Sequence, residues 1–189
     1  MTKTRLKAFS DGVIAIIITI MVMSRETPHE ATFAALWHLF PTFLSYVLSF
    51  VYLAIYWNNH HHLLHAAKRV DAKVLWANTH LLFWLSLFPF STAWVGETRG
   101  APLPTALYGA IFFMAAIAYT ILQNCIIALD GQALGASIGN DRKGKLSLFC
   151  YLLSIGLAFV KPFLSHVLFV LVAAMWVIPD KRIEKILEQ

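Results

Sequence analysis

The chain has 189 residues, 59% of them hydrophobic and only 13% charged, with a formal net charge of +5. Soluble domains run nearer about 45–50% apolar and about 25% charged, so this composition excludes an ordinary soluble globule and marks an integral membrane protein. The positive charge does not describe a nucleic-acid surface, because the basic residues sit between long apolar runs; those runs alternate too little for barrel strands, which leaves helices that bond their backbone groups internally.

The first apolar run covers residues 6–25. Lys3, Arg5 and Lys7 before it resemble the start of a signal peptide. Asp11 interrupts the run, however, and no small-residue cleavage pattern follows Met23, so it reads as a retained span. Further apolar segments cover 33–58, 74–96, 104–129, 146–160 and 162–179. A span needs about 20 residues. The last two segments are shorter and are separated only by Lys161-Pro162, so five or six spans are conceivable by length.

Charge decides for six. With the N-terminus inside, six spans place Lys3, Arg5, Lys7, Lys68, Arg69, Lys73, Arg142, Lys143, Lys145, Lys181, Arg182 and Lys185 in the cytoplasm, leaving Arg25, Arg99 and Lys161 outside. Five spans would put the last basic group outside, against the positive-inside bias. The expectation is one all-α, six-span domain over residues 1–189 in the cell membrane, with both termini cytoplasmic. Residues 24–32, 97–104 and the Lys161-Pro162 turn face the other side. The Gly-rich stretch 130–145 is the longest inner loop, and 180–189 reads as a charged helical extension.

In the first span, a rotation of about 100° per residue places Gly12, Ile16, Thr19, Ile20 and Met23 on one stripe. Ser10 lies about 120° and Asp11 about 140° from Ile16 by the same rotation, so the acidic group points toward neighbouring helices of its own subunit. An ionised Asp at the centre of a bilayer costs about 2.5–3.5 kcal/mol on insertion scales, so Asp11 faces protein or water rather than lipid. Arg5 and Phe9 fall on the Ile16 stripe. Either the helix bends or begins near Phe9, or Arg5 reaches sideways to a partner such as Asp11. The bland reading of the stripe is a lipid-facing or core-facing apolar edge.

Other features have quieter explanations. Trp37, Tyr56, Trp57, Trp76, Trp94, Tyr108, Tyr151 and Trp176 lie mostly near segment ends, as an interfacial aromatic belt would. Cys125 and Cys150 lie in apolar segments and form no CxxC motif. Gly109 and Gly156 suggest close helix packing, and His38 and His166 suggest helix–helix hydrogen bonds. His60, His61, His62 and His65 carry three readings: interfacial packing, pH sensing, or a divalent metal site on His61, His62 and His65 at helical spacing. No HExxH motif is present, and carboxylates are scarce in the spans.

Arg5-x-x-x-Phe9-Ser10-Asp11 at the head of the first span resembles the signature of the transmembrane protein 175 family of potassium channels. Trp57-Asn58-Asn59-His60-His61-His62 at the end of the second segment, and Trp76-Ala77-Asn78 leading to Leu87-Phe88-Pro89-Phe90-Ser91-Thr92 in the third, extend the resemblance. It implies a homotetramer in which four first helices line a central pore for potassium and other monovalent cations. It also implies no enzymatic cofactor and no nucleic-acid partner, with a hydrophobic constriction at Ile16 in place of a carbonyl filter. Thr19 would assist selectivity, and Ile20 and Met23 would continue the apolar lining. Arg5, Phe9, Ser10 and Asp11 would tie the pore helix to other spans, with His80 as a candidate partner. Proton permeation or weak selectivity is the alternative within a channel. A secondary transporter should show paired broken helices in two matched halves, which are not evident here. A membrane enzyme would need a nucleophile–base or carboxylate pair, and the sequence offers neither.

Overall fold

The computed structural model describes residues 2–23, 27–28, 30–130 and 141–177. Among them the chain is all-helical: α1 (Lys3–Met23), α2 (Phe33–His38), α3 (Phe40–Ala66), α4 (Ala72–Ser86), α5 (Phe88–Glu97), α6 (Pro102–Asp130), α7 (Arg142–Val160) and α8 (Pro162–Val177). Four of these, α1, α3, α6 and α7, are individually long and apolar enough to cross a bilayer, and α8 is a shorter apolar helix. The stretch 131–140 within the expected inner loop and the charged tail 180–189 lie outside the described residues.

The second and third segments differ from unbroken rods. Thr32 caps α2 by accepting from the Ala35 N–H at 3.2 Å, and Leu39 separates α2 from α3. The helix then runs past Asn58 to Ala66, so His60, His61, His62 and His65 are helical. The third segment breaks at Leu87, with Pro89 in the first turn of α5. Proline has no N–H to donate and its ring crowds the preceding turn, so the helix must stop and restart there. Asp71 caps α4 by accepting from Val74 N–H at 2.9 Å, and Asp141 caps α7 by accepting from Gly144 N–H at 2.8 Å.

Basic side chains close helix ends at one end of the bundle. Lys3 Nζ donates to the carbonyls of His65 (2.9 Å) and Ala67 (2.8 Å) at the end of α3. Arg69 Nη2 donates to Leu129 O at 3.0 Å near the end of α6, and Lys143 Nζ to Met175 O at 3.3 Å near the end of α8. A helix C-terminus leaves carbonyls unpaired and carries partial negative charge, which a cation offsets. The starts of α1 and α7 thus sit beside the ends of α3 and α8. At the opposite end, Arg99 (φ 51°) and Gly100 (φ 73°) turn the chain from α5 to α6, and a side chain at Gly100 would meet the His166 ring at 2.9 Å.

The core is aromatic. Tyr52, Phe88, Tyr108, Phe112, Tyr151 and Phe169 are buried together, with Tyr52 and Phe112 centroids 4.0 Å apart. This corrects the aromatic-belt expectation for three residues: Tyr56, Tyr108 and Tyr151 are interior, whereas Trp37, Trp57 and Trp76 are exposed. Gly109 does mark close packing, since a Cβ there would meet Ser154 Oγ at 2.9 Å, but Gly156 has open space. The tighter approach is α3 on α5: a Cβ on Gly96 would lie 2.7 Å from Ser45 Oγ and 2.9 Å from the Thr42 backbone. Backbone cannot yield as a side chain can, so Gly96→Ala is expected to destabilise by about 1–3 kcal/mol, read as a lowered melting temperature in detergent.

Candidate functional site

The first helix has two unlike sides. Leu6, Ser10, Ile14, Ile17 and Met21 are buried. Gly12, Ile16, Thr19, Ile20 and Met23 are all exposed, Ile16 at 60% and Met23 at 78%. The stripe expected from helical rotation is therefore an open edge of the single subunit. The Thr19 hydroxyl donates back to Ala15 O at 2.9 Å, leaving its oxygen lone pairs free on that edge. An apolar groove of about 490 Å³ runs beside it, between Ile16 and Ile20 of α1 and Ser86, Pro89, Phe90 and Ala93 around the α4–α5 break.

Lys3, Lys7 and Asp11 of α1 meet their own subunit in a regular ladder. Lys3 meets the carbonyls at the end of α3, Lys7 Nζ lies 3.4 Å from His61 Nε2, and Trp57 Nε1 donates to Asp11 Oδ1 at 3.0 Å. Each step of four along α1 is matched by four residues back along α3, the register of two antiparallel helices in contact. Deeper, His60 Nε2–H donates to Asn78 Oδ1 at 2.7 Å, and Asn78 Nδ2 donates to Ser10 Oγ at 3.0 Å. Ser10 Oγ donates to Leu6 O at 2.9 Å. Ser10, His60 and Asn78 are each 0% exposed. With Nε2 the donor, His60 Nδ1 is the unprotonated nitrogen, and it is buried without a partner.

The Arg5–Asp11 motif is thus divided. Ser10 and Asp11 engage α4 and α3, whereas Arg5 and Phe9 lie on the open edge. The helix starts at Lys3, which removes the alternative of a start near Phe9, and the described partner of Asp11 is Trp57 rather than Arg5. His80 does not join the network. It accepts from Trp84 Nε1 on its own helix at 2.9 Å, and Asn78 occupies the place expected for it. Asn78 and His60 are the members that sequence reasoning did not place in this network; both stood in the quoted motifs, and His60 was read only with the histidine run.

The remaining histidines make ring contacts. His61 stacks on His65 at 6.4 Å and meets His62 edge-on at 5.7 Å. Among the described residues no group of three or more His, Cys, Asp or Glu is arranged to hold a metal ion.

Comparison with known proteins adds independent findings. Residues 5–89 match the family model described as endosomal/lysosomal potassium channel TMEM175. The chain is 50% identical to a potassium channel of Chryseobacterium sp. (strain P1-3), over the whole of both chains. It is 30% identical to a potassium channel of Streptomyces collinus, over 82% of each. Its fold is similar to the crystal structure of a lysosomal potassium-selective channel TMEM175 homolog from Chamaesiphon minutus, with a TM-score of 0.80 and 25% identity. That likeness covers 93% of this chain and 96% of the other.

Proposed function

We infer that this chain, which belongs to the endosomal/lysosomal potassium channel family TMEM175, conducts potassium passively through a pore built by several copies around the open edge of α1. The family is one of ion channels and not of enzymes, and the chain is a multi-pass membrane protein. The observation that carries the pore reading is the exposure of the entire Gly12–Ile16–Thr19–Ile20–Met23 stripe, backed by buried polar bonds that fix the opposite face. The adjoining groove leaves room for a neighbouring copy. A homotetramer, with the basic end of the bundle and both termini in the cytoplasm of a cell-membrane channel, suits the family resemblance and the positive-inside rule.

The mechanism follows from side-chain chemistry. A ring of Ile16 side chains offers no oxygen to a cation. When narrow it expels water and blocks; when wider it wets and passes an ion that has lost part of its hydration. Potassium sheds water more readily than sodium, so dehydration itself favours potassium. A ring of Thr19 oxygens one turn on would replace part of the lost shell. Ile20 and Met23 continue the apolar wall. Such a filter discriminates modestly, and rubidium and caesium should permeate.

Two experiments test this. Potassium flux into liposomes, with an ion-substitution series, should rank potassium, rubidium and caesium above sodium; saturable flux coupled to a second ion would instead indicate a transporter. Thr19→Val should lower the potassium-to-sodium permeability ratio by roughly two- to tenfold, the equivalent of one polar contact worth about 0.5–1.5 kcal/mol. An unchanged ratio would remove Thr19 from the ion path.

A further inference from the structure

A second groove, of about 460 Å³, lies between α4 and α6 at the basic end of the bundle. Its walls are Lys73, Trp76, Ala77, His80, Ile121 and Cys125. Trp76 is 76% exposed, which is unusual for the largest apolar side chain unless another phase covers it. One turn beyond Cys125, the carbonyl of Leu129 accepts from Arg69 Nη2, which puts the Arg69 guanidinium beside the end of α6. Lys68 adjoins Arg69 in the chain. Asp71, in the same connection, accepts from Val74 N–H as the N-cap of α4, and among the described residues no carboxylate lines the groove. The mouth is therefore cationic and the floor is apolar.

We propose that this groove binds an anionic phospholipid of the adjacent leaflet, its phosphate held by Lys73 and Arg69 and one acyl chain lying over Ala77, Ile121 and Cys125. Basic pockets between helices on the positive side of a membrane protein suit acidic headgroups, and a tryptophan at their rim marks headgroup depth. A zwitterionic lipid would bring a second, positive group to a mouth where the described cations outnumber the carboxylate of Asp71. His80 Nε2 accepts from the Trp84 indole N–H on its own helix. The inference rests on the membrane embedding of α4 and α6 and is independent of which edge faces the pore.

The test is native mass spectrometry of the full chain reconstituted in vesicles with equal amounts of phosphatidylcholine and phosphatidylglycerol of matched acyl chains, then extracted in mild detergent. Wild type should retain phosphatidylglycerol preferentially. Lys73→Gln, an exposed position with no packing role, should reduce that preference by roughly fivefold, the effect of one basic residue near the surface. Lys161→Gln, at the opposite end, should leave it unchanged. Raising ionic strength should weaken the wild-type preference. Equal retention of both lipids by wild type would overturn the proposal, as would an equal loss in Lys73→Gln and Lys161→Gln. Phosphatidylglycerol retention abolished by millimolar inorganic phosphate would reassign the mouth to a free anion. Disulfide-linked dimers of Trp76→Cys would place a second copy of the chain there and would equally overturn it.

Discussion

In single-channel recordings, Ile16→Asn should raise the potassium conductance by roughly tenfold and reduce discrimination against sodium. The reasoning is energetic. A tenfold rate corresponds to about 1.4 kcal/mol of barrier, and burying or wetting a single methylene is worth about 0.8 kcal/mol. Replacing a ring of branched aliphatic groups by carboxamides changes the wetting of the constriction by at least that amount. The new amide oxygens would coordinate any monovalent cation, so selectivity should fall as conductance rises. A lipid-facing Ile16 behaves differently: the same change would cost insertion or folding energy and leave the current per channel unaltered. Conductance and protein yield thus separate the two readings.

The second large effect is expected at Asn78. Asn78→Ala removes the acceptor of the His60 Nε2–H and the donor to Ser10 Oγ in a site that is 0% exposed at all three residues. Each buried group left without a partner costs about 1–3 kcal/mol in water-soluble cores. Hydrogen bonds between membrane helices average only about 0.6 kcal/mol, with a maximum near 1.7, because the helices separated in lipid find other partners. Here one substitution orphans a ring N–H that lies against α1 and α4 at once, so the upper part of that range applies and a loss of about 1.5 kcal/mol is expected. Thermal unfolding in detergent measures it. Ser10→Ala should cost less, since Asn78 would still accept from His60. Equal melting temperatures for wild type and Asn78→Ala would show that the network does not hold α1.

How much of this was legible depends on the kind of information each feature needs. The shared stripe of α1 was readable because a single helix obeys one rotation, which puts Gly12, Ile16, Thr19, Ile20 and Met23 on one face; that this face is exposed comes from the structure. The network behind it depends on the relative register of three helices, which no local pattern carries. His80 and Asn78 are two residues apart, about 200° around a helix, so choosing the wrong polar residue on α4 chooses the opposite face. Among consecutive histidines the same ambiguity holds. His60 is buried and His61 reaches Lys7, although the sequence presents them as one run.

The tyrosines show a different limit. A Tyr near a segment end fits an interfacial belt and an aromatic core equally well, and only packing separates Tyr56, Tyr108 and Tyr151 from Trp76. The break at Leu87 did have a local signal in Pro89, but the hydropathy of the third segment continues through it undisturbed. Charge was more informative than hydropathy near the helix ends: Lys3, Arg69 and Lys143, all expected at one end of the bundle, close the ends of α3, α6 and α8 there.

The central claim, that the Ile16 edge of α1 surrounds the ion path, is tested most directly by recording Ile16→Cys channels while cadmium is added to the aqueous bath. Thiols gathered around a shared axis would bind the soft cation together and abolish the current, with recovery on chelation, whereas wild type, with Cys125 and Cys150 alone, would conduct throughout. Undiminished Ile16→Cys current at cadmium concentrations that saturate an exposed thiol would place that edge in lipid and contradict the pore.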